Sequence, residues 1–231
     1  KAYNVTIDGG TFIGDVKTHS GTRGEWGHGI KVCGSSNVSI KNLTVREFWG
    51  DGIDLIEGYY DSKISAGVGN CNGVVIDNVK SLYNRRQGLS IEAAENVTVK
   101  NSEFAYTGKI KMTRPAAGLD VEPWCDNERK IYNIVISDCS FHDNVNDDLY
   151  MIPNCKVIPQ NDLTDDLITV RRCEIGKLNL FWSRNVSFES CEIENIVDLG
   201  HSPKTSFIRC VIKDKSGVNQ KTEILFKKCK M

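Results

Sequence analysis

Short runs in which apolar and polar residues alternate recur along the whole chain. Val, Ile, Thr and Phe fill these runs, and a period of two is that of a β-strand with one buried face. The runs lie at residues 4–7, 37–40, 73–76, 96–99, 133–136, 166–170 and 185–188. No segment carries a sustained helical stripe. Strands that return at intervals of roughly 18 to 37 residues predict a solenoid.

Asn opens many of these runs, at positions 4, 37, 96, 133 and 185. An Asn at such a place is typical of a turn with left-handed backbone, or of a turn closed by a side-chain hydrogen bond. The pattern therefore predicts a turn of this kind at the start of the repeats.

A second series of apolar runs lies between the first ones. Its members open with Gly or Asp followed by Ile or Leu, at 29–30, 52–53, 88–89, 118–119 and 148–149. Each repeat thus contains at least two short strands, too few to bury a core alone, so successive repeats must stack at the ~4.8 Å spacing of paired strands. The sequence predicts an all-β fold, a parallel β-helix of about 8–10 coils, with pairs such as Ile53 and Leu55 pointing inward.

Length and charge add few constraints. No linker or composition shift divides the 231 residues, and we predict a single domain over 1–231. The 29 basic and 30 acidic residues nearly cancel, which gives no reason to expect a nucleic acid partner, and no apolar run approaches the roughly 18 residues of a membrane span. Both termini fall directly in repeats, so we expect the chain to be a piece of a longer protein.

Five of the nine cysteines follow the repeat. Cys173, Cys191, Cys210 and Cys229 are 18, 19 and 19 residues apart, each at the end of a strand-like run, and Cys139 holds the same place in its own repeat. This spacing favours a column of reduced thiols inside the solenoid, because free Cys packs as a small apolar residue. Disulfides and a metal site remain alternatives, although no Cys-x-x-Cys pair is present to favour zinc.

Three motifs carry a resemblance to a known group: NVTIDGGT at 4–11, WGDGI at 49–53 and NRRQGL at 84–89. They are similar to repeats of the pectin-lyase-like superfamily, including β-helix regions of bacterial and phage proteins. The resemblance covers essentially the whole chain and implies a single-stranded, right-handed parallel β-helix that is secreted, on the cell surface or part of a virion. Pectate and alginate lyases, polygalacturonases, uronate epimerases and phage tailspikes share this fold, so the fold alone selects no activity.

The catalytic motifs of these enzymes are missing from the sequence. The run Gly27-His28-Gly29 resembles a polygalacturonase element, but its Asn-Thr-Asp and Arg-Ile-Lys partners do not occur. The Asp-Pro-His-Glu run of alginate epimerases and the Arg-x-Pro-x-x-Arg run of pectate lyases are also absent. Candidate site residues must therefore be found from the repeat itself.

Polar and ionisable side chains occupy the outward positions of the second strand series. Aligned on the opening Gly or Asp, they form three columns: His28, Asp51, Gln87, Ala117 and Asp147; Lys31, Asp54, Ser90, Asp120 and Tyr150; and Cys33, Ile56, Glu92, Glu122 and Ile152. Because alternate residues of a strand point to opposite sides, we expect one polar face on the outside of the solenoid.

Four carboxylates on this face, Asp54, Glu92, Asp120 and Glu122, are the candidate catalytic residues. On adjacent coils Glu92 and Glu122 would lie about 4.8 Å apart at Cα, and Asp54 and Asp120 about twice that. The wider spacing falls in the ~6.5–9.5 Å range of an inverting glycosidase, and the closer one suits a raised pKa or a shared cation. Within the strand that holds Asp120 and Glu122, we assign Glu122 as the acid and Asp120 as the base or cation ligand.

Basic and aromatic side chains are the candidates for substrate binding. Arg85 and Arg86 precede the central strand, where a guanidinium pairs well with a uronate carboxylate. His28 and Tyr150 are candidate proton carriers at the two ends of the face.

The rest of the substrate-binding set is Lys31 and Asp51 on the face and the aromatic residues Trp49 and Trp124. Further rings that would stack on sugars occur nearby, at Trp26, Tyr59, Tyr60 and Tyr106. Calcium is a candidate cofactor through Glu92, Asp120 and Glu122, although their spacing is not that of a dedicated calcium loop. No other cofactor is predicted.

Two hypotheses of different class follow. The first is an enzyme, a lyase or hydrolase that cleaves a polysaccharide in the carboxylate-lined groove. The second is a non-catalytic glycan-binding or structural segment, such as part of a tailspike or adhesin, in which the acids are a plain solvated surface. Like charges on neighbouring coils repel, and a face that served only solubility would avoid them, which favours the enzyme. The sequence does not determine the sugar, the linkage or the oligomeric state.

Overall fold

The computed structural model describes residues 1–58, 69–123, 131–152, 168–181, 183, 185–200, 202, 204–218 and 224–231. In chain order the strands are β1 (Tyr3–Asp8), β2 (Thr11–Ile13), β3 (Ile30–Cys33), β4 (Ser36–Arg46), β5 (Ile53–Ile56), β6 (Cys71–Leu82), β7 (Gln87–Ile91), β8 (Ala94–Lys100), β9 (Glu103–Ala105), β10 (Ala117–Val121), β11 (Ile131–Ser137), β12 (Ser140–His142), β13 (Leu149–Met151), β14 (Ile168–Arg171), β15 (Glu174–Leu180), β16 (Val186–Glu189), β17 (Glu192–Asp198), β18 (Thr205–Ile208), β19 (Val211–Asp214) and β20 (Ile224–Lys227). Their pairings are parallel and join each coil to the next. The chain is a parallel β-helix.

Each coil places a strand segment on three faces, where the sequence predicted at least two. The first face is built by β1, β4, β6, β8, β11, β14, β16, β18 and β20. The second holds β2, β9, β12, β19 and parts of β4, β6, β15 and β17. The third holds β3, β5, β7, β10, β13 and the ends of β15 and β17. Along the first face, nine described strands make eight full turns and begin a ninth, in agreement with the predicted number of coils.

The third face has the register that the opening Gly residues predicted. Lys31 pairs with Asp54, Asp54 with Ser90, and Ser90 with Asp120. The column continues through Tyr150 to Asn179. The predicted inward residues of the same strands, among them Ile53, Leu55, Leu119 and Val121, are fully buried.

Close contact between coils explains why Gly marks the strands of this face. A Cβ added at Gly52 would lie 2.7 Å from the carbonyl oxygen of Gly88, and one added at Gly118 would lie 2.6 Å from that of Asp148. These distances are shorter than real Cβ contacts, so a side chain at either position would push neighbouring coils apart. The Gly residues therefore set the distance between the coils that carry the acids.

The predicted turns are present. Asn4, Asn37, Asn96, Asn133 and Asn185 all have left-handed backbone, with φ between 53° and 56°. Their side chains also bond between coils, because the Asn37 amide donates to Asn4 Oδ1 at 3.2 Å and the Asn133 amide to Asn96 Oδ1 at 2.6 Å. The left-handed backbone is thus confirmed, whereas the side-chain bonds join successive coils instead of closing a turn.

The cysteine column is also confirmed for its buried members. Cys139, Cys173, Cys191 and Cys210 are buried free thiols, whereas Cys229 is a free thiol that is partly exposed. Cys191 Sγ donates to the carbonyl oxygens of Val170 and Glu189, both at 3.5 Å. Hydrogen bonding to its neighbour Cys139, together with burial, raises the pKa of Cys173 to about 12, which keeps this thiol protonated. Cys125 and Cys155 lie outside the described residues.

Stacked rings fill part of the interior. Phe188, Phe207 and Phe226 follow one another with ring centroids 4.8 and 5.1 Å apart, and Phe104 stacks on Phe141 at 5.3 Å. Such offset pairs add to the apolar burial that holds coils together. Among the described residues we find no helix that could span a membrane.

Candidate functional site

An open cleft of about 860 Å³ runs along the third face. Its lining comes from several coils and from the segments that precede their strands. The lining residues are Glu25, Arg86, Glu92, Arg114, Pro115, Glu122, Pro123, Asn146, Asp147, Tyr150 and Asn179. Four of these, Arg86, Glu92, Glu122 and Tyr150, are residues that the sequence predicted for the site.

A second layer of polar residues lies beneath the cleft. Asp51, Asp54, Gln87, Ser90 and Asp120 point away from the apolar core but are at most 2 % exposed. The sequence placed these positions on the outside of the solenoid, and their burial corrects that expectation. Of the four candidate acids, Glu92 and Glu122 line the cleft, whereas Asp54 and Asp120 are buried beneath it.

Arg86 joins the two layers. Its NH1 lies 2.9 Å from Asp51 Oδ2 and 4.0 Å from Glu92 Oε1, and its Nε lies 3.6 Å from Glu25 Oε2. Ser90 Oγ donates to the same Asp51 oxygen at 3.1 Å. One guanidinium thus faces three carboxylates, so it is held in place by the protein and neutralises only part of their charge.

His28 and Lys31 close the site on the side of the first coils. His28 Nδ1 lies 3.2 Å from both the backbone nitrogen and the Oδ2 atom of Asp51, and its Nε2 lies 3.7 Å from Asp54 Oδ2. Lys31 Nζ lies 3.3 Å from the same carboxylate oxygen. Burial raises the pKa of Asp54, and the charges of His28 and Lys31 oppose that effect. These residues contact Asp54 rather than the cleft.

Glu92 lines the cleft and has a pKa near neutral pH. Burial, followed by the charge of Asp54, raises its pKa to about 7, although Arg86 acts in the opposite direction. Its side chain still has 14 % of its surface exposed to the cleft. A carboxyl of this kind holds a proton near neutral pH and can deliver it to a bound molecule.

Asp120 lies in β10, and Glu122 follows directly after that strand. Burial raises the pKa of Asp120 well above its usual value, and the charge of Glu122 and a hydrogen bond between the two carboxyls add to the effect. The prediction that like charge and desolvation raise one pKa in this group is thus confirmed. The raised pKa belongs to Asp120, however, which the sequence analysis had assigned as the base.

Tyr150 and Asp147 line the far end of the cleft. Burial and the charges of Asp120 and Glu122 raise the pKa of Tyr150 to about 12. Burial also raises the pKa of Asp147, against the hydrogen bond that it accepts from Asn179. Tyr150 is therefore a hydrogen-bond donor at neutral pH and a poor proton acceptor.

Two further predicted substrate-binding residues, Trp49 and Arg85, also lie away from the cleft lining. Trp49 is buried between His19, whose ring stacks on it at 3.9 Å, and the Arg85 guanidinium, which is 3.9 Å from the ring centroid. Arg85 also donates to the carbonyl oxygen of Gly24 at 2.8 Å. Both side chains fix the segment around Gly24 on the solenoid, so the predicted substrate contact of Arg85 and Trp49 is wrong.

The remaining aromatic candidates do not form a binding platform in the described residues. Trp26 is 75 % exposed and does not line the cleft. Tyr106 stacks on Tyr83 elsewhere on the molecule, with centroids 4.7 Å apart. Tyr59, Tyr60 and Trp124 lie outside the described residues.

Calcium was a candidate through Glu92, Asp120 and Glu122. In the part of the chain that the structure describes, no group of three or more His, Cys, Asp or Glu side chains is arranged to hold a metal ion. The cationic Arg86 faces several of the acids that such an ion would use. We derive no step from a metal.

Comparison with known proteins finds two relatives in Bacillus subtilis strain 168. The SPbeta prophage-derived uncharacterized protein YorA is 30% identical over 186 residues, and the uncharacterized protein YclG is 29% identical over 179 residues. Each alignment covers 73% of this chain, and the chain spans about 30% of the length of both relatives. No family model matches the chain.

A solved structure has a similar fold. The tailspike protein gp49 of Acinetobacter baumannii bacteriophage Fri1, a capsular polysaccharide depolymerase, superimposes with a TM-score of 0.58 at 15% identity. The match covers 96% of this chain and 38% of the tailspike. The two proteins share a fold. At this identity the likeness extends to the fold alone, and the site must be interpreted from its own residues.

Sequence reasoning missed several residues of the site. Gln87 and Asp147 belong to the column that precedes the opening Gly or Asp, and that column could have revealed them. Asn179 was missed because its strand, in β15, lacks the Gly-Ile or Asp-Leu opening. Glu25 and Arg114 lie in irregular segments between strands, where no repeat pattern places a residue on a face.

Proposed function

We propose that this β-helix cleaves a polysaccharide by hydrolysis in the cleft of the third face. The observation that carries the proposal is the carboxyl group of Glu92, whose pKa of about 7 is combined with access to an open cleft. A buried acid costs folding free energy, and acids with raised pKa cluster at functional sites. The tailspike with the same fold is a capsular polysaccharide depolymerase, which supports a glycan as the substrate class.

The proposed reaction uses two carboxyls on neighbouring coils. Glu92 transfers its proton to the glycosidic oxygen as the C–O bond breaks, and the Glu122 carboxylate attacks the anomeric carbon to form a glycosyl ester. Ionised Glu92 then takes a proton from water, which hydrolyses the ester and restores both groups. Neighbouring strands are about 4.8 Å apart, closer to the ~5–5.5 Å carboxyl separation of retaining enzymes than to that of inverting ones.

Charge and proton affinity favour hydrolysis over elimination. A lyase needs a base that removes a proton beside a uronate carboxylate, and that carboxylate must be neutralised. Four acids line the cleft, Glu25, Glu92, Glu122 and Asp147, against two arginines, Arg114 and Arg86, and Arg86 is already paired with protein acids. Tyr150, with a pKa of about 12, is a poor base. We therefore propose neutral glycans, rather than polyuronates, as substrates.

We propose that the protein works outside the cell or on a virion. A polysaccharide substrate is found there, one relative is prophage-derived, and the tailspike belongs to a bacteriophage. The oligomeric state is not part of the proposal.

Incubation with a panel of neutral and uronate-containing polysaccharides tests the proposal. We expect new reducing ends with at least one neutral glycan, retained anomeric configuration in the first product seen by NMR, and no absorbance near 235 nm. Glu92→Gln should abolish product formation on the same glycan.

Unsaturated product absorbing near 235 nm would replace hydrolysis by a lyase reaction. Tight glycan binding with no cleavage, equal for wild type and Glu92→Gln, would support the non-catalytic hypothesis. An inverted product would exclude Glu122 as the nucleophile.

A further inference from the structure

Asp51, just before β5, is a buried acid to which the proposed reaction gives no part. Its side chain is 0 % exposed. Arg86 NH1 donates to Asp51 Oδ2 at 2.9 Å, and Ser90 Oγ donates to the same oxygen at 3.1 Å. On the opposite side, His28 Nδ1 lies 3.2 Å from this oxygen. A single carboxylate oxygen is therefore contacted from the coils on both sides of its own.

The Arg86 guanidinium lies between two carboxyl groups at unequal distances. The NH1 nitrogen that bonds Asp51 lies 4.0 Å from Glu92 Oε1, which is too far for a hydrogen bond. A movement of roughly 1 Å would bring NH1 to the ~2.9 Å of a charge-assisted bond with Glu92. Asp51 and Glu92 thus compete for one donor, and Asp51 holds it.

Several contacts place the guanidinium beside Asp51. The backbone N–H of Arg86 donates to the Gly50 carbonyl oxygen at 3.3 Å, and NH1 also donates to Ser90 Oγ at 3.4 Å. Of the ion pairs that Arg86 makes with described residues, only the one with Asp51 is at hydrogen-bond distance, since the Glu25 carboxylate lies 3.6 Å from Nε. Because Asp51 and Arg86 are both largely buried, salt and water screen their attraction little. The charge of Asp51 supplies the strongest hold on NH1.

The position of Arg86 decides how much positive charge Glu92 meets. The acids Asp51, Asp54 and Glu57 also face Glu92, and Glu122 lines the same cleft from the next coil. A cation in direct contact lowers the pKa of a carboxyl by roughly 1–3 units. Direct contact with NH1 would therefore ionise Glu92 at neutral pH and remove the proton that it holds in the cleft.

We propose that Asp51 is a positioning residue that keeps the Arg86 guanidinium out of hydrogen-bond range of Glu92. The use of the Glu92 proton in catalysis rests on the proposed function, whereas the competition for Arg86 does not. The sequence placed Asp51 among the substrate-binding residues. In the role proposed here, it acts on a substrate only through Arg86 and Glu92.

Crystal structures of the wild type and of Asp51→Asn at pH 8 test the competition directly. The amide keeps the shape of the side chain but not its charge, so Arg86 should turn to the ionised Glu92 and place a nitrogen within about 3.2 Å of a Glu92 carboxyl oxygen. The wild type should keep NH1 on Asp51. A guanidinium that stays 4.0 Å from Glu92 in the variant would overturn the proposal.

Asp54→Asn is the matched control for the charge of Asp51 itself. Asp54 is also buried and contacts His28 and Lys31 rather than Arg86, yet by charge alone it acts on Glu92 more strongly than Asp51 does. Titration of Glu92 by ¹³C NMR should show its midpoint falling by at least about one pH unit in Asp51→Asn, and by less in Asp54→Asn. An equal or larger fall in Asp54→Asn would mean that Asp51 is only one more charge, and the positioning role would be wrong.

Failure of the proposed function gives a different result. With a glycan identified by the panel, Asp51→Asn should move the alkaline limb of the kcat/KM profile to lower pH by the same interval as the NMR midpoint. An unmoved limb, combined with a moved guanidinium and a lowered midpoint, would remove Glu92 from the reaction but support the role of Asp51. A guanidinium and a midpoint that both stay in place would overturn the role of Asp51, whatever the glycan panel shows.

Discussion

Two sets of acidic residues lie on the same solenoid in opposite electrostatic surroundings. At the corner between the first and second faces, Asp8, Asp77 and Asp138 are exposed or partly exposed, and hydrogen bonds from Asn42, Asn101 and Arg172 lower their pKa values. Under the third-face cleft, burial raises the pKa values of Asp54 and Asp120. The corner acids accept hydrogen bonds from side chains of the next coil. The acids under the cleft keep carboxyl oxygens that accept none from a described donor.

The corner acids stabilise the stacking of coils, whereas the acids under the cleft do not. The corner ladder gains a hydrogen bond per coil, as where Asn101 donates to Asp77 Oδ1 at 2.8 Å. On the third face, Asp51, Asp54 and Asp120 each keep a buried oxygen without a hydrogen bond from a described donor. Such groups destabilise the folded state. Stacking of the coils does not need these buried carboxylates, so their presence beneath a cleft points to a function.

The largest expected effect comes from removing the proton donor. Glu92→Gln keeps the shape of the side chain but has no acidic proton, so turnover of a cleaved glycan should fall about 10²- to 10⁴-fold. The same substitution removes a buried charge, and the free energy of unfolding at pH 8 should rise. Turnover assays and chemical denaturation measure the two effects on one sample.

Asp77→Asn is the matched control on the corner ladder. It removes a partner of Asn101 and Lys100 far from the cleft, so the free energy of unfolding should fall by less than about 1 kcal/mol and turnover should not change. If Asp77→Asn raised the free energy of unfolding, or Glu92→Gln lowered it, the two sets of acids would not differ in the way described.

The next effect is the pH dependence of stability. The pKa of Glu92 is about 7 in the folded protein and near 4.5 when unperturbed, so the folded state holds a proton that the unfolded state releases between these values. Stability should therefore rise as pH is lowered from 8 to 5, by up to about 3 kcal/mol from this group. Asp54 and Asp120 act in the same direction.

Denaturant midpoints between pH 5 and 8 measure this dependence. The corner acids have lowered pKa values, so their stabilisation is lost only as the pH falls below about 4. Glu92→Gln should flatten the slope in the upper window, and Asp77→Asn should leave it unchanged. A wild-type stability that falls from pH 8 to pH 5 would contradict the account.

The smallest effect is expected inside the cysteine column, away from both acid sets. Ser102 occupies the equivalent position on an earlier coil, where its hydroxyl donates to the Lys100 carbonyl at 2.7 Å. Cys191→Ser can make the same bond to Glu189, so the loss of stability should stay below about 1 kcal/mol. The buried thiols of the column should resist modification in the native protein and react once it is denatured. A loss of several kcal/mol would mean that the thiols do more than fill space.

The repeat made the fold predictable. Strand period, Asn turns, the opening Gly residues and the cysteine spacing each depend on a position that recurs in every coil, and a recurring position is readable without a structure. The column that joins Asp54, Ser90 and Asp120 follows from the same alignment. Stacking of coils thus brought most of the candidate acids to one face.

Burial and orientation were not predictable in the same way. Alternation distinguishes inward from outward positions, but it does not tell whether an outward residue meets water or an overlying side chain. Arg85 and Arg86 are adjacent in sequence, yet one holds Trp49 and the other holds Asp51. The buried Gln87 amide takes both of its contacts, to Ala117 and Asp120, from the next coil, which the pattern within its own strand does not reveal.

The central claim is that a carboxyl in the cleft holds its proton at neutral pH. Titration of the Glu92 side-chain carbon by ¹³C NMR, assigned by the signal that Glu92→Gln removes, measures that proton directly. The account predicts a midpoint near 7. A midpoint near the usual Glu value of about 4.3 would contradict it, because Glu92 would then be an ordinary surface acid with no proton to give.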